Sequence, residues 1–516
     1  MRRVAARKVV EVLNGYEQGG ASTQKKSMRG WISPSLNPRD DIDRSLDTLR
    51  GRARDLYMNS PIGAAALKTA RTNVIGPGLR LKARIDAETL GLTDEQADEW
   101  CGKVEKEFAV WAESKHCDAI RMNDFYDQQG IAFLGMLMNG DSFALFRQAP
   151  RTNWMPYGLR LHLIEADRVS TPMTSGILGD AVEGRAPNGN RIISGVEVDK
   201  NGVLVAYHIA NTYPTDFTTN QIREWVRVEA YGPKTGSPNI LHLMDTDRAE
   251  QRRGVPFLAP VIETLKQITR YTEAELMASV ISGMFTVFVK SSGPSSENPF
   301  DDMVAPEEQV ASKDPNTYEM GVGAINVLDP GEDVQIANPG RPNANFDPFV
   351  SALCRYIGAA LEIPYELLLK SFQSSYSASR AALLEAWKMF RMRRRWTAKE
   401  FCQPVYEEWL AEAIALGRIR APGFFNDPAI RKAWSQAEWN GPAPGQLDPV
   451  KEVQASEKRV AMGLSTRERE AIETNGSDFW TNVQHLRIEN KALADAGINP
   501  TTSTGEEVRE KNAEED

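Results

Sequence analysis

The sequence predicts an α+β fold in which helices and strands are segregated along the chain. Three observations carry this reading. Apolar residues recur at helical spacing, behind recognisable caps, over residues 43–138 and again from residue 256. Between them, residues 142–245 break into six short β-rich runs separated by turn residues. Asn201-Gly202 between two of these runs is a strong hairpin signal, so the region reads as mainly antiparallel.

The elements follow in order. Residues 43–58 form the first helix. Ser60-Pro61 restarts the chain as a helix, with Ser as N-cap and Pro at the first helical position, and Gly76-Pro77-Gly78 ends it. Thr93-Asp94-Glu95-Gln96 is a capping box that opens a third helix running to about Ser114. A fourth, over 124–138, stops at Asn139-Gly140-Asp141. Strands are expected at 142–148, 159–164, 191–198, 203–209, 224–231 and 240–244. From Pro256, the residues Phe257, Val261, Leu265, Ile268, Tyr271, Leu276 and Val280 recur mostly every three or four positions, giving a long helix. Residues 291–348 read as irregular and hold eleven acidic and two basic residues, a net of −9. A helix over 349–362 is broken at Pro364. Another runs over 377–416, interrupted near Pro404, and a charged helical stretch covers 448–496. No repeat of solenoid period is visible.

Composition narrows the class. A chain of 516 residues has room for two to four domains and needs no covalent staple to bury a core. Its net charge of −9 argues against a protein that grips nucleic acid over its whole surface, because phosphate binding needs surplus Lys and Arg. The four cysteines, Cys101, Cys117, Cys354 and Cys402, have no CxxC spacing, which argues against a zinc ribbon or a secreted disulfide framework and fits a reducing compartment. The first residues carry charge but no apolar core of a signal peptide, and the longest uncharged apolar stretch, from Leu276 to Val289, is too short to span a bilayer. A soluble chain, cytoplasmic where it is made and without a membrane partner, is expected. The ends are polar and of opposite sign. Residues 1–35 carry seven basic and two acidic residues, and residues 505–516 carry six acidic and two basic ones. Both read as mobile tails.

A search for chemistry finds no catalytic constellation. There is no GxxxxGK[ST] loop to cradle a triphosphate, since the one Gly-Lys pair, Gly102-Lys103, is followed by Val104. HExxH and GxSxG are absent. The five histidines form no i, i+4 pair, and His116 beside Cys117 falls far short of a zinc site. Asp245, Asp247 and Glu250 read as a loop turning into a helix. No enzyme, metal or cofactor is expected. Three features stand out: a basic cluster on the long helix (Lys388, Arg391, Arg393, Arg394, Arg395, Lys399), the polar stretch from Lys370 to Arg380 between two helices, and the acidic segment 291–348. Their plain readings are a solvated or salt-bridged face, a loop with an N-cap, and a solvated insertion.

Several short stretches fall in an order that resembles a known family. They are Asn73-Val74-Ile75-Gly76-Pro77-Gly78, Gly140-Asp141-Ser142-Phe143, Ile164-Glu165-Ala166-Asp167-Arg168-Val169 and Gly195-Val196-Glu197-Val198-Asp199. Then come Arg253-Gly254-Val255-Pro256-Phe257-Leu258-Ala259-Pro260, Tyr271-Thr272-Glu273-Ala274-Glu275-Leu276 and Leu328-Asp329-Pro330-Gly331-Glu332. Ile363-Pro364-Tyr365-Glu366-Leu367-Leu368 and Ser375-Tyr376-Ser377-Ala378-Ser379-Arg380-Ala381-Ala382-Leu383-Leu384-Glu385 complete the series. Over residues 45–420 the chain resembles the lambda-type portal proteins of tailed bacteriophages.

That resemblance implies a portal fold of wing, stem, clip and crown, and a cyclic ring, in the family usually of twelve copies, at one vertex of the capsid. Double-stranded DNA passes through the ring when packaged and when ejected. Partners implied are further copies of the chain, the terminase large subunit, major capsid and scaffold proteins, and head-completion or tail connector proteins. The place implied is the virion, with the host cytoplasm during assembly. Carried onto this chain, 1–40 is a flexible basic arm, 41–255 the wing, 256–290 the first stem helix and 291–348 the clip. Residues 349–369 are the second stem helix and 370–377 the tunnel loop. The long wing helix and its return take 378–447, the crown 448–500, and an acidic tail 501–516. The DNA-facing tunnel loop is then Lys370, Ser371, Phe372, Gln373, Ser374, Ser375 and Tyr376, with Lys266 and Arg270 lining the stem channel. Intersubunit salt bridges are the competing reading of Lys370, Lys266 and Arg270. Asp301, Asp302, Glu307 and Glu308 of the clip would dock terminase or connector. Uncovered apolar residues on the first stem helix (Leu265, Ile268, Leu276, Val280, Ile281) would meet the next subunit. The alternative is another capsid or scaffold component of a tailed phage, without a channel. Residue chemistry agrees with a conduit. A ring multiplies every inward-facing cation, so one Lys per subunit already supplies as many phosphate contacts as a tight binder uses.

Overall fold

The computed structural model describes residues 26–172, 183–214, 216, 223–283, 287–290, 325–328, 345–372, 375–444 and 449–496. The chain opens with α1 (Pro38–Asp41), α2 (Leu46–Asn59) and α3 (Pro61–Val74), then β1 (Arg80–Ala83) and α4 (Ala87–Leu90). α5 (Asp94–Ala112) and α6 (Phe125–Asn139) follow. The expected caps are present. The Ser60 hydroxyl accepts from Gly63 N–H ahead of Pro61, and Thr93 and Gln96 form the reciprocal capping box. Asp124 caps α6 by accepting from Asp127 N–H.

The β region is two sheets. β2 (Asp141–Gln148) lies between β3 (Leu159–Glu165) and β9 (Ile240–Met244), antiparallel to both. A five-stranded meander runs β4 (Glu183–Arg185), β5 (Arg191–Ile193), β6 (Val196–Val198), β7 (Leu204–Ala210), β8 (Trp225–Glu229). The Asn201-Gly202 turn joins β6 to β7 as predicted, with Gly202 at φ +82°. The single strand expected over 191–198 is instead two, folded into a hairpin at Ser194 and Gly195, both at positive φ. A β-carbon on Gly195 would come within 2.5 Å of Ser170 N, so the turn closes directly on a neighbouring backbone.

α7 (Ile262–Gly283) is shorter than the expected 256–290 helix. Its end is followed by β10 (Val287–Lys290), which pairs in parallel with β11 (Ile325–Leu328). The stretch 291–348 is therefore not irregular throughout. α8 (Phe346–Ala360) begins three residues before expectation, and Glu362 at φ +55° separates it from α9 (Tyr365–Leu369). The long helix is α10 (Tyr376–Thr397) and α11 (Gln403–Ala415), joined by a π-helical turn over Ala398–Cys402. That turn sits where Pro404, which has no N–H, cannot continue the α-helical bonding. α12 (Pro428–Ser435) leads to β12 (Ala437–Asn440), which pairs with β1 across some 360 residues, Arg80 opposite Asn440. α13 (Pro449–Ala461), α14 (Arg467–Asn475) and α15 (Phe479–Asp495) end the described chain.

One hydrophobic core unites α3, α5, α6, the faces of β2 and β3, the roots of α7 and α8, and α10–α11. Its centre is aromatic: the Phe108 ring lies 5.0 Å from Trp409, 5.7 Å from Tyr406 and 5.8 Å from Phe125, all edge-on. A smaller core, with Ile164, Val196, Tyr207 and Ile209, lies under the meander, and Phe143 of β2 belongs to it. The last three helices are tied on by polar contacts, Lys82 to Asp478 at 3.0 Å and Arg84 to Glu468. Among the described residues, no helix is long and apolar enough to cross a membrane and no His, Cys, Asp and Glu group could hold a metal ion.

Candidate assembly, channel and docking surfaces

α7 and α8 are rooted in the main core and bare further out. Phe257 N–H donates to Leu137 O (2.8 Å), and Leu258, Val261, Leu265 and Ile268 are all buried. The expectation that Leu265 and Ile268 are uncovered is therefore wrong: helical spacing aims them at the core from the first two turns. Leu276 (68 % exposed), Met277 (61 %) and Val280 (48 %) lie on the later turns. The Ile281 side chain lies outside the described residues. On α8, Cys354, Ile357 and Gly358 are buried, whereas Phe349 and Tyr356 are exposed. The helices meet through Tyr271, whose ring stacks on Phe346 (5.7 Å) and takes Phe349 edge-on (5.1 Å).

Lys266 and Arg270 are exposed, one turn apart on α7, and neither makes an ion pair with a described residue. Lys370 ends α9 in the left-handed conformation (φ +53°), and Ser371 N–H closes back on Glu366 O (3.0 Å). Phe372 is 52 % exposed. Ser375 caps α10, accepting from Ala378 N–H at 3.4 Å, so the helix restarts one residue earlier than expected. Gln373, Ser374 and the Tyr376 side chain lie outside the described residues, as do Asp301, Asp302, Glu307 and Glu308. The structure thus puts Lys370, Ser371, Phe372 and Ser375 at one break between helices.

The motif pieces Gly140-Asp141 and Arg253-Gly254 meet where the strands approach the start of α7. Asp141 is fully buried. Arg253 Nε donates to it at 2.6 Å, and Arg50 of α2 donates at 3.1 Å. Burial opposes its charge, but Arg253, Arg50 and the bond to His242 outweigh burial and hold its carboxyl well below the usual range. Arg253 also donates to Val169 O and Ala166 O, both at 2.7 Å. One ionic node so joins α2, β2, β9, the loop after β3 and the segment entering α7. Sequence reading quoted these residues without pairing them. The signal was an acidic and a basic residue each beside a glycine.

The basic cluster of α10 divides. Arg394 donates to the carbonyls of Asn73, Val74 and Pro442, and burial and then Arg391 push its guanidinium down to about 10. Arg393 lies over the Phe257 ring and 3.5 Å from Asp245. Lys388 pairs with Glu385 (2.5 Å) and Lys399 with Glu400 (2.8 Å).

Comparison with known proteins identifies the family. The profile of the phage portal protein, lambda family, matches residues 24–394. The chain is 25% identical to the portal protein of Escherichia phage N15, covering 94% of this chain and 92% of that one. It is 26% identical to portal protein B of Escherichia phage lambda, covering 94% and 91%. Among solved structures, a chain from the neck of a native GTA particle computed with C12 symmetry is similar at a TM-score of 0.38 and 12% identity, covering 85% of this chain and 94% of that chain. The profile match spans well over half of the 516 residues, so the chain belongs to the lambda family of phage portal proteins.

Proposed function

We propose that twelve copies close into a ring whose axial channel passes double-stranded DNA during packaging and ejection. The observation that carries this is the pair α7–α8. Its root is locked in the core, while Leu276, Met277, Val280 and Phe349 lie bare beyond it, and Tyr356 is bare on the outer side of α8. Exposed apolar side chains grouped on one helix pair mark an association surface, and a head-to-tail interface that closes gives a ring. Lys266 and Arg270 would form weak basic rings in the stem, and Lys370 to Tyr376 the tunnel loop around the DNA. Neutral Ser, Gln and Tyr groups offer hydrogen bonds to passing phosphates without a strong Coulombic hold. The acidic segment 291–348, with Asp301, Asp302, Glu307 and Glu308, would dock the terminase large subunit and later the head-completion or tail connector proteins. Rim charges of this kind tune encounter and partner choice more than affinity. Capsid and scaffold proteins would surround the ring, assembled in the host cytoplasm and carried in the virion. The chain is structural and hydrolyses no nucleotide; the motor supplies the energy.

Light scattering and negative-stain microscopy of the purified chain test this. Closed rings, with subunits counted from class averages and no ATP turnover, are expected. A monomer at micromolar concentration in every salt tried would overturn it.

A further inference from the structure

A groove of about 800 Å³ lies between α10, the α12–β12 segment and α14. Arg391, Arg394, Arg395 and Lys399 of α10, Lys432 of α12 and Arg469 of α14 line it. Only three acids share that lining, Glu407, Glu438 and Glu473, and they are already engaged. Glu473 accepts from Arg469 (3.2 Å) and lies 4.0 Å from Arg391, Glu438 lies 3.8 Å from Arg84, and Glu407 accepts from Gln403 (2.9 Å). Arg395 and Lys432 are exposed and make no ion pair with a described residue. Arg394 is held by three carbonyls and lies over the Trp387 ring, with no acid paired to it among the described residues. Six cations against three acids leave the groove lining a cationic surplus, and an anion seated there would relieve it.

The last residues of the chain have the matching chemistry. Residues 505–516 carry Glu506, Glu507, Glu510, Glu514, Glu515 and Asp516 against Arg509 and Lys511. An eight-residue spacer, 497–504, made largely of Gly, Asn, Pro, Thr and Ser, separates them from α15. Fully extended, it spans about 26 Å. That equals the length of α15, about 26 Å for its 17 residues. The spacer is thus long enough to run back along α15 to its start, three residues from the end of α14 and the groove. The groove's volume is that of a pocket for a short segment rather than for a DNA duplex.

We propose that this groove seats the chain's own acidic segment 505–516, which thereby screens the cations of α10 and α12 from nucleic acid. Tethering keeps the segment at millimolar effective concentration beside the groove, so weak contacts suffice. A ring of otherwise acidic balance then presents no uncovered cationic groove to the DNA it handles.

Carbodiimide cross-linking of the full chain, read by mass spectrometry, should join Lys399 or Lys432 to acids of 505–516. In a mixture of light and heavy isotope-labelled chains these cross-links should stay within one chain. A chain ending at Thr504, and the full-length E506Q/E507Q/E510Q/E514Q/E515Q/D516N variant, should both bind duplex DNA more tightly. Freeing Arg395 and Lys432, exposed and without an ion pair among the described residues, should steepen the slope of log affinity against log salt by about 2. R395E/K432E in the truncated chain should abolish that gain. Absent cross-links, cross-links only between chains, or unchanged salt slopes in both tail variants would overturn the proposal. So would full-length chain whose DNA binding already depends on Arg395 and Lys432, since the duplex would then own the groove. Light scattering on the same samples reports ring formation separately, so failure of the ring reading is distinguishable.

Discussion

A β-carbon on Gly254 would lie 1.8 Å from the carbonyl oxygen of Gly140. The two backbones touch, and this contact lets Gly254 N–H donate to Asp141 at 3.2 Å while Arg253 reaches the same carboxylate. Both glycines are conformational necessities, Gly140 for its φ of +89° as well. β2 and the segment entering α7 are joined at this point.

G254A should therefore destabilise the chain by about 3 kcal/mol or more, because neither backbone can retreat without breaking the Asp141 node. Thermal unfolding followed by circular dichroism would show it. An unchanged midpoint would mean the segment entering α7 shifts freely.

Asp43 should make stability depend on pH. It is buried, and burial pushes its carboxyl up to about 6, against the pull of Arg253 and Arg50. A raised carboxylate pKa means the folded state binds the proton more readily. Its contribution is therefore fully present below about pH 4 and is lost progressively as pH rises from there through 6. D43N should stabilise the chain by about 1–3 kcal/mol at pH 7 and by much less at pH 4.5. Urea titrations at the two pH values check this; an equal effect at both would refute it.

Leu276 and Met277 should matter for assembly and not for folding. L276D/M277D should keep the far-UV spectrum and the unfolding midpoint, since both side chains are exposed. It should shift sedimentation from ring to monomer. Rings of normal mass would show that the interface lies elsewhere.

Deleting residues 372–375 should leave rings intact and impair packaging or retention of DNA. Phe372 and Ser375 are exposed at a break between helices, so little packing is lost. Full-length DNA packaged and retained at normal yield would remove this loop from the channel.

Reversing the acids at D301K, D302K, E307K and E308K should spare ring assembly and block packaging, with terminase binding weakened in a pull-down. Normal packaging by that variant would reassign the docking surface.

The local elements of this protein were determined by sequence alone. Ser60-Pro61, the Thr93–Gln96 box and the Asn201-Gly202 turn act within four residues of where they are written, so their effect is independent of the rest of the fold. The colinear motifs likewise carried the family. Only the tertiary structure decided the rest. β1 pairs with β12 from opposite ends of the chain, and no local pattern in either four-residue strand announces a partner so distant. Leu265 and Leu276 share one helix and one hydrophobicity, yet one is buried and the other bare, because the core reaches only the root of α7. Asp141 and Arg253 are 112 residues apart, and their charges find each other only because Gly140 and Gly254 bring two backbones into contact. Burial and pairing depend on what the chain folds against, and that is a property of the assembled core.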